Sequence, residues 1–276
     1  MVKLSALVCA HNEEARLAEC LRRLSFCDEL VVVADRCTDR TQEIARQFGA
    51  LVIAGIFPLE SQRKTVGVEA CSGDWIIEVD ADEHVSPALA EEIRAAVEGA
   101  PDGDYFQVPV DNYVGATLVR HGWGGSFGTS SVARLYRRGV KRWKPQRVHP
   151  GVVFDGRRAG ALQGVLSHQV DEDIGDMIDR LNRYTSLRAQ DLADAGAPGK
   201  LWDNVFRGFR RFYKCYVGRK GSREGGLGFL IALMAGLYPV LSHLRAVEVI
   251  AARRTAEDLA VGGDRAGFGV VGQVAR

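Results

Sequence analysis

A chain of 276 residues, 46% hydrophobic and 26% charged, has the make-up of an ordinary globular protein. Its length suits one large domain, or one domain with an appendage. Lys+Arg 36 against Asp+Glu 35 leaves it near neutrality, so nothing in the overall charge implies a nucleic-acid partner. The six cysteines form no Cys-x-x-Cys pair and read as small buried hydrophobes of a reducing compartment, not as a disulfide frame or zinc site. The chain begins directly on a strand pattern, without the leader expected of a secreted protein.

Residues 1–100 repeat a strand-then-helix rhythm. Leu4–Cys9 is a short apolar run, followed by the polar turn Ala10-His11-Asn12-Glu13-Glu14 and by Leu17, Cys20, Leu21 and Leu24 at helical spacing. Leu30-Val31-Val32-Val33 is a second, β-branched run that ends at Asp35. Thr38 is placed to cap the helix carrying Ile44, Ala45 and Phe48, and Gly49 suits its end. Leu51-Val52-Ile53 predicts a third strand, residues 61–71 a helix, and Trp75–Val79 a fourth strand. Pro87 is placed to open the next helix, through Leu89, Ile93 and Val97. Apolar strands alternating with amphipathic helices predict an α/β fold with a mostly parallel, doubly covered sheet.

Residues 101–200 form a second stretch. Gly- and aromatic-rich segments such as Tyr105–Val108 and Ser131–Tyr136 predict a mixed extension with long functional loops, and helix returns over 172–195. From about 201 to 276 the character changes again. Arg207, Arg210, Arg211, Lys214, Arg219, Lys220 and Arg223 alternate with Phe206, Phe209, Phe212, Tyr213 and Tyr216, and Leu227–Tyr238 follows without a charge. A basic, aromatic-studded helix beside an apolar one suits the face of an anionic membrane. The uncharged run reaches Leu244 but contains Pro239 and His243, at the short limit of the roughly 20 residues needed to cross. It is read as an interfacial or re-entrant helix; the plainer reading is a buried C-terminal helix with a solvated basic neighbour.

The chemistry concentrates where strands end. Trp75–Val79 runs into Asp80-Ala81-Asp82-Glu83, and a strand ending in Asp-x-Asp puts two acids at the carboxyl edge of the sheet, where open α/β folds bind ligands. Side chains alternate along a strand, so Asp80 and Asp82 are expected to point the same way. Hard oxygen ligands of that kind suit Mg²⁺ or Mn²⁺ together with phosphate oxygens; ordinary helix caps are the structural alternative.

Four motifs taken together carry a resemblance: Cys9-Ala10-His11-Asn12-Glu13-Glu14, Val31–Asp39, Ser61-Gln62-Arg63-Lys64 and Glu78–Glu83. The chain resembles the family 2 glycosyltransferases, strongly over residues 1–100 and more weakly to about 245. The resemblance implies the GT-A fold, a Rossmann-like, mostly parallel central sheet covered by helices. It also implies a nucleotide-sugar site. Asp35 would accept hydrogen bonds from uracil or ribose, and Ala10, Asn12 and Glu13 would flank the base. Arg63 would reach base or phosphate, Asp80 would meet ribose or metal, and Asp82 would hold a divalent cation across the diphosphate. His168 would sit near diphosphate or metal, though a lone His after an apolar strand is as often structural.

A subgroup that builds lipopolysaccharide inner core resembles the chain further, through Arg120-His121-Gly122-Trp123, Ala133–Gly139, Arg147-Val148-His149, Leu166-Ser167-His168, Asn182-Arg183-Tyr184-Thr185 and the basic-then-apolar tail. It implies an inverting transfer of a sugar, glucose by preference, from a UDP-sugar to a lipid-linked oligosaccharide at the cytoplasmic face of an inner membrane. Such displacement needs a base opposite the leaving group. The Glu that commonly follows the matching His is Pro150 here, so His149, Asp111, Glu83 and Asp155 all stand as candidates. Another lipid or polysaccharide acceptor, and a non-catalytic membrane-associated scaffold, remain as alternatives. A nucleotidyltransferase would show a Gly-rich loop where Asn12-Glu13-Glu14 stands, and a dinucleotide-dependent oxidoreductase the G-x-G-x-x-G that is absent.

Overall fold

The computed structural model describes residues 2–99, 101–124, 129–146 and 151–266, with the helical backbone alone over 257–266. Four strands run parallel in the order β3 (Leu51–Gly55), β2 (Glu29–Asp35), β1 (Leu4–Ala10), β4 (Trp75–Asp80). Both faces are covered, so β1 is buried at every position and β4 at all but its last. That is why these strands read as unbroken apolar runs. Helices α1 (Leu17–Arg23), α2 (Thr41–Gln47), α3 (Glu60–Ala70) and α4 (Pro87–Glu98) connect them. Ser86 caps α4, its Oγ accepting from Leu89 N, with Pro87 in the first turn. Asp39, not Thr38, closes the start of α2: its carboxylate accepts from the backbone N–H of Thr41 and of Glu14. An acid two residues before the helix reaches that N–H, whereas Thr38 N is itself held by Asn12 Oδ1.

The sheet continues, without interruption, into strands of mixed direction. β8 (Ser131–Arg137) pairs antiparallel with β4, β6 (Tyr105–Val114) antiparallel with β8, and β12 (Leu166–Asp171) parallel with β6. A short β5 (Glu83–Val85), not foreseen from the sequence, lies antiparallel on β12, and β7 (Thr117–Val119) pairs with β6. A hairpin of β9 (Lys141–Trp143) and β10 (Val152–Phe154) stands apart, and β11 (Arg158–Ala161) adds to β6. The large apolar cluster joins Leu4, Val8, Leu17, Leu21, Trp75, Ile77, Leu89 and Ile93 under one face. The architecture is the α/β, GT-A-type arrangement with a mixed extension.

Beyond it, α5 (Ile174–Asp194), α6 (Leu201–Tyr213) and α7 (Gly225–Ala266) form a helical unit; a π-helical turn over Lys214–Gly218 and a 3₁₀ turn over Gly221–Glu224 join α6 to α7. Phe212 meets Phe229, Gly208 meets Gly236, and His243 bonds the carbonyl of Pro198, so α6 and α7 run antiparallel. A Cβ on Gly208 would lie 2.5 Å from the Gly236 carbonyl oxygen, so only glycine lets the two backbones come this close. The segment Gly221–Ala256 is long and apolar enough to cross a membrane by length and composition, its most apolar 18-residue window having a mean hydropathy of 1.8. Half of its most apolar window is buried inside the protein.

Candidate functional site

The three parallel strands β1, β2 and β4 bring their carboxyl ends to one edge. At the end of β2, Asp35 is buried at 2% exposure. Its Oδ1 accepts from Phe57 N at 3.0 Å, and its carboxylate takes a two-pronged grip from Arg36 Nε (3.0 Å) and an Arg36 terminal nitrogen (2.7 Å). Arg63, on α3, reaches Asp35 at 3.8 Å, so the two predicted nucleotide contacts do meet. Arg63 Nε is buried with no hydrogen-bond partner, an orphaned donor of the kind native interiors rarely leave unsatisfied. His11 Nδ1 lies 2.6 Å from the Asp35 carbonyl oxygen, which ties the β1 turn to the β2 end.

Asn12 and Arg36 both hold a left-handed backbone, at φ 56° and 50°. A single non-glycine residue there costs of order 1 kcal/mol, and such strain gathers at functional sites. It is supported locally: Asn12 Oδ1 accepts from Thr38 N, and Glu13 N donates to Thr41 Oγ1. Burial, then the field of Asp82, raises the Glu13 carboxyl above its ordinary range. Ala10 is buried at the end of β1. The predicted base-flanking residues thus line one edge.

Asp80 and Asp82 flank the end of the strand. β4 stops at Asp80, and Ala81-Asp82 turn before β5, so the two-residue alternation of a strand does not by itself set their directions. Asp80, whose side chain is 37% exposed, is held on one oxygen by Arg134 of β8 at 2.5 Å. The same Arg134 nitrogen donates to Glu83 at 2.6 Å, and Glu83 accepts from Asp80 N at 2.8 Å. Both oxygens of Glu83 are therefore committed inside the fold. Behind them Glu78, 2% exposed, takes Lys64 and Lys141 at 2.5 Å each, with Arg134 at 3.3 Å. Burial alone would raise the Glu78 and Asp80 carboxyls. The cations prevail: Lys141, Lys64 and Arg134 hold Glu78 well below the carboxylate range, and Arg134 and Lys64 hold Asp80 low. Arg134 is a residue the sequence reading missed. Its one signal was a charge set in the apolar run Val132–Tyr136, where a buried cation demands buried acids.

Like Asp80, Asp82 keeps a partly exposed side chain, in the turn after β4. It lines a cavity of about 260 Å³ with Arg16, Tyr113, Ser167 and Gln169, and His168 Nε2 lies 3.5 Å from its Oδ2. Burial pulls the His168 pKa down, but Asp82, Glu83 and Asp80 outweigh it and leave the imidazole above its usual value. His168 Nδ1 lies 3.0 Å from Asn112 Oδ1, and Asn112, 1% exposed, donates onward to the Thr129 carbonyl. Asn112 therefore orients the ring by accepting its Nδ1–H, which turns Nε2 toward Asp82. Among the described residues no three His, Cys, Asp or Glu side chains converge to hold a metal. One carboxylate and one imidazole, open to solvent, still fit a hard divalent cation whose other ligands come from phosphate oxygens.

Asp111 faces the opposite side of β6 from Asn112, because neighbours on a strand alternate. Asp155 is paired with Arg142 on the β9–β10 hairpin. His149 lies outside the described residues. A cavity of about 600 Å³, bigger than the one at Asp82, sits at the other sheet edge, among Lys3, Asp28, Glu29 and Leu51. Volume therefore does not locate this site; the strand ends do.

The chain is similar to the lipopolysaccharide core biosynthesis glycosyltransferase LpsC of Rhizobium meliloti, 28% identical over 257 residues, 87% of this chain and 90% of the relative. An uncharacterized glycosyltransferase of Rickettsia felis is 38% identical over 211 residues, 71% of this chain and 72% of the relative. Among solved structures, S. aureus TarS 1–349 matches with a TM-score of 0.47 and 12% identity over 92% of each chain. A glucosyl-3-phosphoglycerate synthase from Mycobacterium tuberculosis, crystallised with Mn²⁺, UDP and glucosyl-3-phosphoglycerate, matches with 0.45 and 17% over 72% of this chain and 82% of that one. Residues 5–154, more than half of the length, match the model of glycosyl transferase family 2, and the chain belongs to that family.

Proposed function

We propose that the protein transfers a hexose, with inversion, from a UDP-sugar to a lipid-linked acceptor of the lipopolysaccharide-core type, at the cytoplasmic face of an inner membrane. The observation that carries this reading is the meeting of Asp35 and Arg63 at the same sheet edge as the neighbouring Asp82 and His168. Asp35 takes the base or ribose, and the unsatisfied Arg63 Nε takes a nucleotide oxygen. Asp82 and His168 hold Mg²⁺ or Mn²⁺. A cation there stabilises the charge that grows on the leaving diphosphate. Asn112 keeps His168 turned toward that position. With Glu83 committed to Arg134 and Asp111 on the far face of β6, the acceptor hydroxyl's proton is assigned to His149. The acceptor class is supported by the similarity to LpsC over most of both chains.

Arg36 clasping Asp35, and Arg134 clasping Asp80, favour a second reading, a non-catalytic scaffold of the same fold. The two readings part in one experiment. Purified protein is offered a panel of nucleotide-sugars with and without Mn²⁺, and nucleoside diphosphate release is measured. Release of UDP from UDP-glucose that vanishes in chelator is expected. No release from any donor, together with no thermal shift by UDP and Mn²⁺, would leave the scaffold.

A further inference from the structure

We propose that α6 is an in-plane membrane anchor: its exposed aromatic stripe enters the headgroup–acyl boundary of an anionic bilayer while its basic flank takes lipid phosphates. This deepens the reading of a lipid-linked acceptor and rests on it only for its purpose, since the surface itself is visible without it.

The stripe is built at helical spacing. Trp202, Phe206, Phe209 and Tyr213 recur every three or four residues and are 77%, 72%, 71% and 64% exposed. The face of α6 that meets α7 is formed instead by Asn204, Gly208 and Phe212. In a soluble helix the apolar stripe faces the core; here it faces away from it. Large aromatics at this exposure exceed what a solvated surface carries by chance.

The partner α7 extends the same surface. In an antiparallel pair, the residues one position after the contact point lie on the same side of both helices. Phe209 follows Gly208, and Leu237 follows Gly236. Leu233, Leu237 and Leu244 are also exposed. The apolar surface is therefore a two-helix strip. Next to it run Arg207 and Arg210 on α6 and Lys214 in the turn directly after it, all exposed. Between Leu201 and Gly225 there are seven basic residues against two acidic ones. One of those acids, Glu224, is turned inward onto the backbone N–H groups of Arg120 and His121. Trp and Tyr beside a row of Arg and Lys is the composition of a membrane interface, and the charge selects anionic headgroups over a neutral partner.

The anchor is rigidly tied to the site. Gly122 N donates to the Arg219 carbonyl, an Arg219 nitrogen donates to the Trp123 carbonyl, and Gly122 packs on Gly221 so closely that a Cβ would fall 3.0 Å from its Cα. Loop 120–124 is thereby fastened to the α6–α7 junction. It leaves β7 directly after Val119, which pairs with Asn112, the residue that orients His168. A bilayer beneath α6 would fix the height of this loop and of the Asp82 cavity above the lipid surface.

The test is sedimentation of the full chain with vesicles of phosphatidylglycerol and phosphatidylcholine, 1:1, and of phosphatidylcholine alone. Wild type is expected to pellet with the anionic vesicles at least about tenfold more strongly than with the neutral ones. The triple variant Trp202→Ser, Phe206→Ser, Phe209→Ser and the charge variant Arg207→Glu, Arg210→Glu, Lys214→Glu are each expected to lose about tenfold or more in binding. Both sets are exposed, so the melting temperature should not move. Brominated lipid should quench a tryptophan signal that Trp202→Phe removes. Vesicle binding unchanged in the aromatic variant would overturn the proposal, and so would a wild-type dimer that the variant makes monomeric. UDP release, measured in the same preparations without vesicles, tests the donor site independently: its absence would sink the transferase reading and leave the vesicle result standing.

Discussion

The sheet edge and the α6–α7 hairpin handle charge in opposite ways. At the edge, charges are inside: Glu78, Lys64, Lys141 and Arg134 are nearly fully buried and pair with one another, while Asp80 and Asp82 in front of them stay partly exposed. On the hairpin, charges and large aromatics lie outside, and glycines let the two backbones meet beside Phe212 and Phe229. A buried ion network is a weak source of net stability, yet removing one member leaves its partners unpaired in a low dielectric. An exposed aromatic adds almost nothing to the fold. The difference teaches that the sheet edge settles its buried charges against one another, whereas the hairpin leaves its charges and aromatics on the surface.

Substitutions can break this comparison, and the largest effect belongs to Asp82. Asp82→Ala should lower metal-dependent transfer by at least about a hundredfold while the unfolding midpoint stays within about 1 kcal/mol of wild type. Activity and a urea melt on one preparation check both halves. Glu78→Gln should do the reverse at the level of the fold. It removes the carboxylate that Lys64 and Lys141 share, Arg134 keeping Asp80 and Glu83, and is expected to cost about 3–5 kcal/mol in urea unfolding. The same network predicts the acid limit. Glu78 and Asp80 are held below their ordinary values, so as pH falls the unfolded chain takes up protons first. Their contribution is fully present above about pH 4.5 and is lost on acidification below it. A pH series of melting temperatures should fall there, and less steeply in Glu78→Gln.

A smaller effect is expected at the nucleotide end. Asp35→Asn keeps the shape of the side chain but weakens charge-assisted hydrogen bonds, and should weaken UDP binding by about 1.5–3 kcal/mol in calorimetry. The smallest effect sharpens the contrast most. Leu21→Ala in the sheet core should cost about 2–5 kcal/mol, whereas Phe209→Ala, a larger truncation, should change stability by no more than about 0.5 kcal/mol. Equal losses at the two positions would mean that the α6 stripe is covered by protein.

How much of this was legible depends on how local each cause is. The parallel strands, the helices of the first hundred residues and the break at Ala195–Gly199 are written in periodicity and turn residues, and they formed where expected. Asp35 and Asp82 stand out in the sequence because each ends or follows a short apolar strand, whereas Arg63 is marked only by the resemblance of Ser61–Lys64 to the family. Alternation does not fix Asp82 relative to Asp80, because β4 ends at Asp80, which Arg134 holds from 54 residues away. Arg36 was unreadable as well: nothing in an Arg after an Asp foretells a left-handed backbone folded onto its neighbour.

The sequence by itself therefore determined the alternation of elements, the acids at the strand ends and the basic, aromatic tail, since each follows from the spacing of neighbouring residues. Only the tertiary structure decided which acids Arg134 holds, that Asn112 steers His168, and that the aromatic side of α6 turns away from the core. Those outcomes depend on pairings between residues far apart along the chain, where a buried charge must find its opposite and a helix must choose which face to cover.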